Sequence, residues 1–339
     1  MGWAEEAWAC SELEATTKAP LGRTLSGVSV VALAGGVGAG KFLRGLVRAI
    51  PPEDVAVIVN TADDIILHGL HVSPDLDSVT YWLSGVADRD RGWGRAGETW
   101  RAAEELRRLN APGAWFSLGD LDLATHLYRT SMLMAGASLS EATGTIAVGF
   151  GVPCKLLPMS DDPVETRVEV VHGGDSLDLH FQEYWVQRGA AEEVKSIRYR
   201  GADLARPAPG VLDAIRAADA IVLPPSNPVA SIGPILAVPG IRDALVERRV
   251  RVTGVSGIVG GAPLAGMADK LLPVAGVEVS AAGVAELYRP HLAAWVIDRA
   301  DRALAPRIEA MGIRVAVSNT IMDSDHTAET VARAALSLL

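Results

Sequence analysis

One stretch of the sequence decides the fold: an apolar run at Val28–Leu33, a glycine-rich turn at Gly35–Lys41 (GGVGAGK) and a helix-spaced run at Phe42–Val47. Glycines at a strand-to-helix turn let the backbone approach a ligand closely, because no Cβ stands in the way. The N–H groups and the positive dipole at the start of the helix favour an anion. The stretch therefore predicts a strand, a turn and a helix that bind a phosphorylated or nucleotide-like ligand.

Further apolar runs indicate neighbours for the first strand. Val55–Val59, Ala220–Leu223 and Val315–Val317 are apolar throughout, as is typical of parallel strands covered on both faces. Helix-spaced segments lie between the runs, at Thr99–Leu109, Val211–Ala218, Ile241–Arg249 and Thr327–Leu338. This alternation predicts a Rossmann-like, doubly wound α/β fold with a mostly parallel sheet.

The middle of the chain has a different pattern. Apolar and polar residues alternate over 164–170 and over 177–181, and Gly173-Gly174 stand between the two runs. This predicts an antiparallel hairpin with one face in water. We expect an inserted helical and antiparallel-strand subdomain at 116–205, a nucleotide-binding core made of 27–115 and 206–339, and a flexible N-terminal extension at 1–26.

The composition limits the classes of function. The 339 residues carry a formal charge of −10, from 31 basic and 41 acidic residues, which argues against a general nucleic-acid binder. No apolar stretch reaches the ~20 residues that a membrane-spanning helix needs. Cys10 and Cys154 are too few for a disulfide framework. The sequence predicts a soluble, cytoplasmic protein with no membrane or nucleic-acid partner.

The glycine turn matches two known motifs imperfectly. Gly35 and Gly40-Lys41 satisfy most of a Walker A motif, but Phe42 stands where a Ser or Thr would bind Mg²⁺. The dinucleotide pattern G-x-G-x-x-G would require a glycine at Lys41. An anion-binding loop is favoured, and a nucleotide-dependent kinase or NTPase, a purely structural turn and a non-catalytic nucleotide-binding regulator stay open as alternatives.

Polar residues follow the second apolar run directly. Asn60-Thr61-Ala62-Asp63-Asp64 come after Val55–Val59, and ligands in doubly wound sheets sit beyond the carboxyl ends of the strands. Two carboxylates, an amide and a hydroxyl are the oxygen ligands that a hard cation such as Mg²⁺ prefers. The alternative is an Asx turn that caps the next helix.

Two helix starts also carry polar residues. Ser73 and Pro74 are a typical N-cap and first helical residue, and from spacing alone Asp75 and Asp77 would be helix-dipole partners. His68 and His71 lack a third ligand at zinc spacing. Further on, a helix that begins near Asp122 would place His126 and Arg129 on one face, either in a site or in a solvated surface.

Two more loops follow strand-like runs. Ser226-Asn227, in the rigid segment Pro224–Val229, suit base or phosphate recognition, and Gly254 and Ser256 repeat the pattern after Val250–Thr253. A plain structural loop is the alternative for each. Because several such loops would meet at one edge of the sheet, they predict a shared ligand crevice.

Taken together, these segments resemble the 2-phospho-L-lactate transferase family of coenzyme F-420 biosynthesis. The resemblance runs from about Val28 to the C-terminus and is most specific in Pro74-Asp75-Leu76-Asp77 and in Ser226–Leu236. Further matching segments are Gly35–Gly38, Asn60–Asp64, Gly69–Asp77, Arg91–Gly94, Glu98–Trp100, Trp115–His126 and Gly266–Asp269. Ala62 stands where the family usually has the glycine of Gly-Asp-Asp.

The resemblance implies a reaction. A phosphoenolpyruvyl or 2-phospho-L-lactyl group would move from a guanosine-diphosphate-type donor to the ribityl hydroxyl of the deazariboflavin Fo, with release of GMP. Mg²⁺ would be the cofactor, held by Asp63 and Asp64, with Asp64 also the general base, and a homodimer is expected. Substrate and phosphate contacts are expected from Gly35, Gly36, Val37, Gly38, Asn60, Thr61, His71, Asp75, Ser226, Asn227, Gly254 and Ser256. Deazaflavin contacts are expected from Trp93, Arg95, Asp120, His126 and Arg129.

Overall fold

The computed structural model describes residues 30–339, so the predicted extension at 1–26 lies outside the described residues. The strands are β1 (Val30–Ala34), β2 (Val55–Val59), β3 (Ile65–Leu67), β4 (Leu70–Val72), β5 (Lys155–Pro158), β6 (Glu165–His172), β7 (Asp175–His180), β8 (Glu193–Arg200), β9 (Ala220–Leu223), β10 (Val252–Val255), β11 (Ile258–Val259), β12 (Ala262–Pro263), β13 (Ala294–Asp298) and β14 (Arg314–Ser318).

The helices are α1 (Gly36–Ala49), α2 (Pro74–Ser84), α3 (Arg101–Arg108), α4 (Asp120–Met134), α5 (Leu139–Gly149), α6 (Val211–Ala217), α7 (Gly233–Ala237), α8 (Ile241–Glu247), α9 (Ala268–Leu271), α10 (Ala281–Tyr288), α11 (Ala305–Glu309) and α12 (Asp325–Leu336). Short 3₁₀ or π turns occupy Pro52–Asp54, Glu183–Gln187, Pro228–Ile232, Arg249–Arg251 and Arg299–Leu304.

Seven strands form one parallel sheet in the order β14-β13-β10-β9-β1-β2-β5, which confirms the predicted fold class. The chain builds outward from β1 to β2 and β5, and then returns to add β9, β10, β13 and β14 on the other side. The strand order therefore reverses at β1. The loops after β1, β2 and β9 meet at this point, which is where doubly wound sheets bind ligands.

Helix α1 packs closely on its neighbours because two of its residues are glycine. A Cβ on Gly40 would lie 2.6 Å from the Trp82 ring on α2, and a Cβ on Gly45 would lie 2.2 Å from the Ala328 carbonyl carbon on α12. Phe42, Leu43 and Leu46 are completely buried beneath these contacts. Gly40, which is part of the apparent Walker motif, is therefore required for helix packing.

A second sheet is antiparallel, in the order β7-β6-β8. It contains the predicted hairpin, whose turn uses Gly173 and Gly174 at positive φ (61° and 94°). Strand β5, although inside the predicted range 116–205, is the edge strand of the main sheet, because its backbone pairs with β2. Within that range, α4 and α5 and the three antiparallel strands therefore form the part outside the main sheet.

The antiparallel sheet supports the loop that follows β2. The Thr166 N–H donates to the Ala62 carbonyl at 2.8 Å, and His180 Nε2 lies 3.1 Å from the Asp64 carbonyl oxygen.

Among residues 30–339 no single helix has the length and hydropathy to cross a membrane. The helical segments Pro228–Ala237 and Ile241–Glu247 are together long and apolar enough, but they are bent by 91° relative to each other.

Candidate active site

The glycine turn is filled largely by the protein's own polar groups. The Gly35 N–H donates to Ser226 Oγ at 3.2 Å, and a Cβ on Gly35 would lie 2.4 Å from Asp75 Oδ2 and 2.5 Å from Ser231 Cβ. Asp75 lies against this turn, and the Gly36 N–H and the Ser231 hydroxyl both lower its pKa. The Gly35 amide thus has a partner within the protein, and phosphate binding by the Gly35 and Gly36 amides stays a prediction.

The next two amides are better suited to an anion. Val37 and Gly38 lie in the first turn of α1, where N–H groups have no acceptor within the helix. A Cβ on Gly38 would lie 2.3 Å from the Pro225 carbonyl oxygen, so glycine is required for the close approach of the β9 loop. Within the predicted anion-binding turn, the Val37 and Gly38 amides are therefore the best placed for a ligand.

Asn60 connects the acidic side chains. Its Nδ2 donates to Asp63 Oδ1 at 3.1 Å and to Asp75 Oδ2 at 2.9 Å, and its Oδ1 accepts from the Ala62 N–H at 3.0 Å. The Asx-type turn and the carboxylate cluster, which the sequence presented as alternatives, are therefore both present. Thr61 Oγ1 is also buried in this loop, without a hydrogen-bond partner in the described structure.

Asp64 is held by one of its two oxygens. Its Oδ2 lies 2.9 Å from His71 Nε2 and accepts from Ser73 Oγ at 2.7 Å. Its Oδ1 is buried and has no hydrogen-bond partner among the described residues. Ser73 is the N-cap residue of α2 as predicted, but its hydroxyl makes no capping bond and binds Asp64 instead.

The three carboxyl groups share a buried space with too little positive charge. Burial, followed by the charge of Asp75, raises the pKa of Asp63 well above its usual range. Burial also raises the pKa of Asp64, and it raises the pKa of Asp75 to about 6. A cation bound here would remove this cost, and the unpartnered oxygen of Asp64 is available to it. The residues therefore suit a divalent cation.

A second acidic cluster lies beside the first. Both Asp77 oxygens accept from Arg129, with Nη1 3.1 Å from Oδ2. His126 stands between the two carboxylates, with Nδ1 3.6 Å from Asp77 and Nε2 3.4 Å from Asp122, and Tyr81 donates to Asp122 at 2.5 Å. Asp77, Asp122 and His126 have atoms within 4.8 Å of one another, a spacing compatible with a divalent metal. However, Arg129 already occupies both Asp77 oxygens.

The predicted deazaflavin residues occupy different environments. His126 and Arg129 share one face of α4 as predicted, and their exposed fractions are 1% and 2%, so their contact with the deazaflavin stays a prediction that would require this face to open. Asp120 also has another role, because it accepts from the Arg101 and Ala102 N–H groups at the start of α3.

Trp93 is the exposed member of this set. Its ring is 46% exposed, and the Arg91 guanidinium lies 5.2 Å from it and 4.9 Å from the Trp100 ring. Gly92, beside it, is at positive φ, and a Cβ there would lie 3.7 Å from Val37 Cγ1. The loop therefore borders the glycine turn. Arg95 contacts α4 instead, where it donates to the Leu121 carbonyl at 2.9 Å.

The loops after β9 and β10 differ in what they offer a ligand. Asn227 Oδ1 caps the turn Pro228–Ile232 by accepting from Val229 and Ala230, so its Nδ2 is the group left to recognise a ligand. A Cβ on Gly254 would lie 2.4 Å from the Trp295 ring, and Ser256 Oγ bonds within its own turn to Ile258. Gly254 and Ser256 thus have roles in packing and turn formation, and their ligand contacts stay predictions.

Comparison with known proteins identifies the family. The family model described as 2-phospho-L-lactate transferase CofD matches residues 30–333. The chain belongs to this family. It is therefore a transferase, and its family acts in coenzyme F-420 biosynthesis.

Relatives in two groups of organisms are similar over nearly their whole length. The phosphoenolpyruvate transferase of Kitasatospora aureofaciens is 51% identical over 312 residues, which cover 91% of this chain and 97% of the relative. The 2-phospho-L-lactate transferase of Methanosarcina acetivorans is 40% identical over 309 residues, which cover 91% and 98%. A crystal structure of a UPF0052 family member from Bacillus halodurans shares the fold, with a TM-score of 0.60, 19% identity and coverage of 91% and 98%.

The geometry argues against the kinase or NTPase alternative for this family member. Gly40 and Lys41 lie inside α1, so no extended loop precedes the helix to wrap around phosphates. Lys41 Nζ lies 5.6 Å from the centre of the Trp82 ring on α2. The lysine therefore packs between two helices.

Sequence reasoning missed five residues of the site. Ser73 binds Asp64, Ser231 lowers the pKa of Asp75, and Asp77, Tyr81 and Asp122 belong to the second cluster. A signal existed for Asp77, since it stands two residues after Asp75 on a predicted helix and the two must point in nearly opposite directions. For the others, spacing along the chain gave no indication.

Proposed function

We propose that this chain transfers a phosphorylated three-carbon acid from a guanosine-diphosphate-type donor to the terminal ribityl hydroxyl of Fo, with Mg²⁺ as cofactor. The observation that carries the proposal is the buried group of Asp63, Asp64 and Asp75, which lacks a balancing cation and lies where the sheet order reverses. The family and its transferase relatives support the reaction class.

The atoms balance as a displacement at phosphorus. The ribityl oxygen forms a bond to the phosphorus that carries the three-carbon acid, and the bond from that phosphorus to the bridging oxygen of GMP breaks. GMP leaves with the electron pair, and the hydroxyl proton goes to Asp64, which acts as the general base. Bound Mg²⁺ would neutralise charge on the diphosphate.

Individual residues have distinct parts in this proposal. Asp63 and Asp64 would hold Mg²⁺, and the Val37 and Gly38 amides would bind the donor's phosphate oxygens. Asn227, with Ser226 beside it, would face the guanosine half of the donor. Trp93, which is exposed next to the glycine turn, would stack on the deazaflavin ring.

The phosphoenolpyruvyl donor is the better candidate of the two. Relatives named phosphoenolpyruvate transferase are 46–52% identical to this chain, whereas those named 2-phospho-L-lactate transferase are 39–40% identical. The homodimer, the cytoplasmic location and the division of the chain into core and subdomain stay predictions.

The test uses the purified chain with Fo, Mg²⁺ and each donor in turn. We expect GMP release and a new deazaflavin phosphodiester by mass spectrometry, faster with the phosphoenolpyruvyl donor. Asp64→Asn should lower turnover by about 1000-fold, since positioned charge at a phosphoryl centre contributes on that order. The matched control Asp213→Asn, an exposed position on α6, should leave turnover unchanged.

Three results would contradict the proposal. Unchanged turnover of Asp64→Asn at saturating Mg²⁺ would remove the metal assignment. Hydrolysis of ATP or GTP without Fo would favour the NTPase alternative. Binding of Fo and donor with no GMP release would favour a non-catalytic regulator.

A further inference from the structure

Helix α4 holds His71 at both of its main-chain groups. The His71 N–H donates to Thr130 Oγ1 at 2.8 Å, and its carbonyl accepts from Arg129 Nη1 at 3.3 Å. His71 lies on β4, which pairs with β3 in a two-stranded sheet and has no strand on its other side. Such an edge ordinarily leaves its backbone groups to water or to another chain. Here two neighbouring side chains of one helix take them.

The side chain of His71 continues this chain of contacts into the acidic cluster. His71 Nε2 lies 2.9 Å from Asp64 Oδ2, which also accepts from Ser73. Because Oδ2 is occupied, the position of His71 determines the direction of the buried, unpartnered Asp64 Oδ1. Arg129 is itself fixed, since both Asp77 oxygens accept from its guanidinium. The series of contacts from α4 to Asp64 is therefore held at every step.

We propose that Thr130 and Arg129 are positioning residues that hold His71, and through it Asp64, so that Asp64 Oδ1 faces a divalent cation. This inference rests on the metal site of the proposed function. Groups that orient a metal ligand commonly affect metal affinity strongly without touching the metal. It also gives α4 a role in the site that does not depend on contact between a substrate and its buried residues His126 and Arg129.

Thr130 offers the cleanest test, because its side chain is half-buried. Two substitutions at this position test the hydroxyl and the side-chain volume separately. Thr130→Val removes the hydroxyl at nearly equal volume, and Thr130→Ser keeps it. Mn²⁺ alone is titrated into the full chain, and free Mn²⁺ is followed by electron paramagnetic resonance. We expect Thr130→Val to weaken Mn²⁺ binding by about three- to tenfold, the effect of one lost orienting hydrogen bond, and Thr130→Ser to bind within about twofold of the wild type.

A kinetic readout accompanies the binding measurement. The Mg²⁺ concentration for half-maximal turnover should rise by the same factor in Thr130→Val, while the KM for Fo stays unchanged. Thr145→Val is the matched control, since it removes a hydroxyl that bonds only to the Glu141 carbonyl on α5. If Thr130→Val fails to fold, Thr130→Ala is measured in its place.

The outcomes separate the two proposals. Mn²⁺ binding by the wild type with equal binding by folded Thr130→Val overturns the positioning role and leaves the metal site intact. Equal losses in Thr130→Val and Thr130→Ser also overturn the role, because the hydroxyl would then be irrelevant. Absence of Mn²⁺ binding by the wild type overturns both the positioning role and the metal of the proposed function.

Discussion

Asp75 and Asp77 stand two residues apart on α2 and belong to two clusters with different charge balance. Asp75 joins Asp63 and Asp64, whose pKa values are all raised by burial. Asp77 joins Asp122, with Arg129 and His126 in contact. Side chains two residues apart on a helix point about 200° away from each other, so Asp75 and Asp77 face different surroundings.

The comparison distinguishes buried charges that are neutralised within the protein from buried charges that are left for a ligand to neutralise. A buried carboxylate is costly unless a cation or several hydrogen-bond donors accompany it. Where the chain supplies the cation, as Arg129 does for Asp77, the cluster is complete and fixes the structure. Where it supplies only neutral donors, as around Asp63 and Asp75, the remaining charge is left for a ligand to balance.

The largest expected effect comes from breaking the complete cluster. Asp77→Asn should lower the free energy of unfolding by about 3–5 kcal/mol, because Arg129 would stay buried without its partner. Urea unfolding followed by circular dichroism measures this loss. A change below about 1 kcal/mol would show that water or another group reaches Arg129, and the contrast between the clusters would disappear.

The same substitution in the other cluster should behave differently. Without divalent cations, Asp63→Asn should leave the free energy of unfolding within about 1 kcal/mol of the wild type, since it removes a repelled, buried charge and keeps an oxygen for Asn60. Added Mg²⁺ should raise the melting temperature of the wild type and not that of Asp63→Asn. Scanning calorimetry with and without EDTA tests this, and a loss as large as that of Asp77→Asn would contradict it.

A partly exposed carboxylate should show a small effect. Asp325 binds Arg44 at 2.6 Å and Arg89 at 3.2 Å, with about a quarter of its side chain exposed, and the Arg44 hydrogen bond first of all lowers its pKa to about 2. Solvent screening reduces the value of such pairs, so Asp325→Asn should cost about 0.5–1 kcal/mol at pH 7.

The direction of the pH dependence follows from the lowered pKa of Asp325. The contribution is complete above the unfolded-state pKa of 3.8 and is lost as the pH falls towards about 2. The wild type and Asp325→Asn should therefore converge in stability at low pH. A difference that stays constant from pH 7 to pH 3 would indicate that shape, not charge, is responsible.

The fold was largely readable from the sequence, because continuous apolar runs report burial on both faces directly. Strands Val55–Val59 and Ala220–Leu223 have the predicted bounds, and the hairpin turn falls at Gly173-Gly174. Strand β13 was missed although all its residues are buried, since its run Ala294–Asp298 is short and ends in a charged residue. Strand β5 was not recognised as a strand and falls inside the predicted subdomain range 116–205, because only its pairing with β2 reveals that it belongs to the main sheet.

The site was readable only in part. The loop after β2 and the polar loop after β9 lie together as expected, since Asn60 Nδ2 donates to the Ala230 carbonyl at 3.4 Å and parallel strands end at one edge. The sequence did not show which partner each hydrogen-bonding group has in the folded protein. Gly254 leaves room for the Trp295 ring, and Asp120 accepts a hydrogen bond from the Ala102 N–H at the start of α3. The sequence had suggested a ligand contact for both residues.

By itself the sequence determined the α/β sheet, the position of the glycine turn and the acidic residues that follow β2, because these depend on patterns within a few residues. Only the tertiary structure decided which carboxylates receive a cation from the chain. Arg129 lies 52 residues from Asp77 and reaches it through the packing of α4 on β4. Charge balance in a buried site depends on distances in space, and local sequence patterns do not encode them.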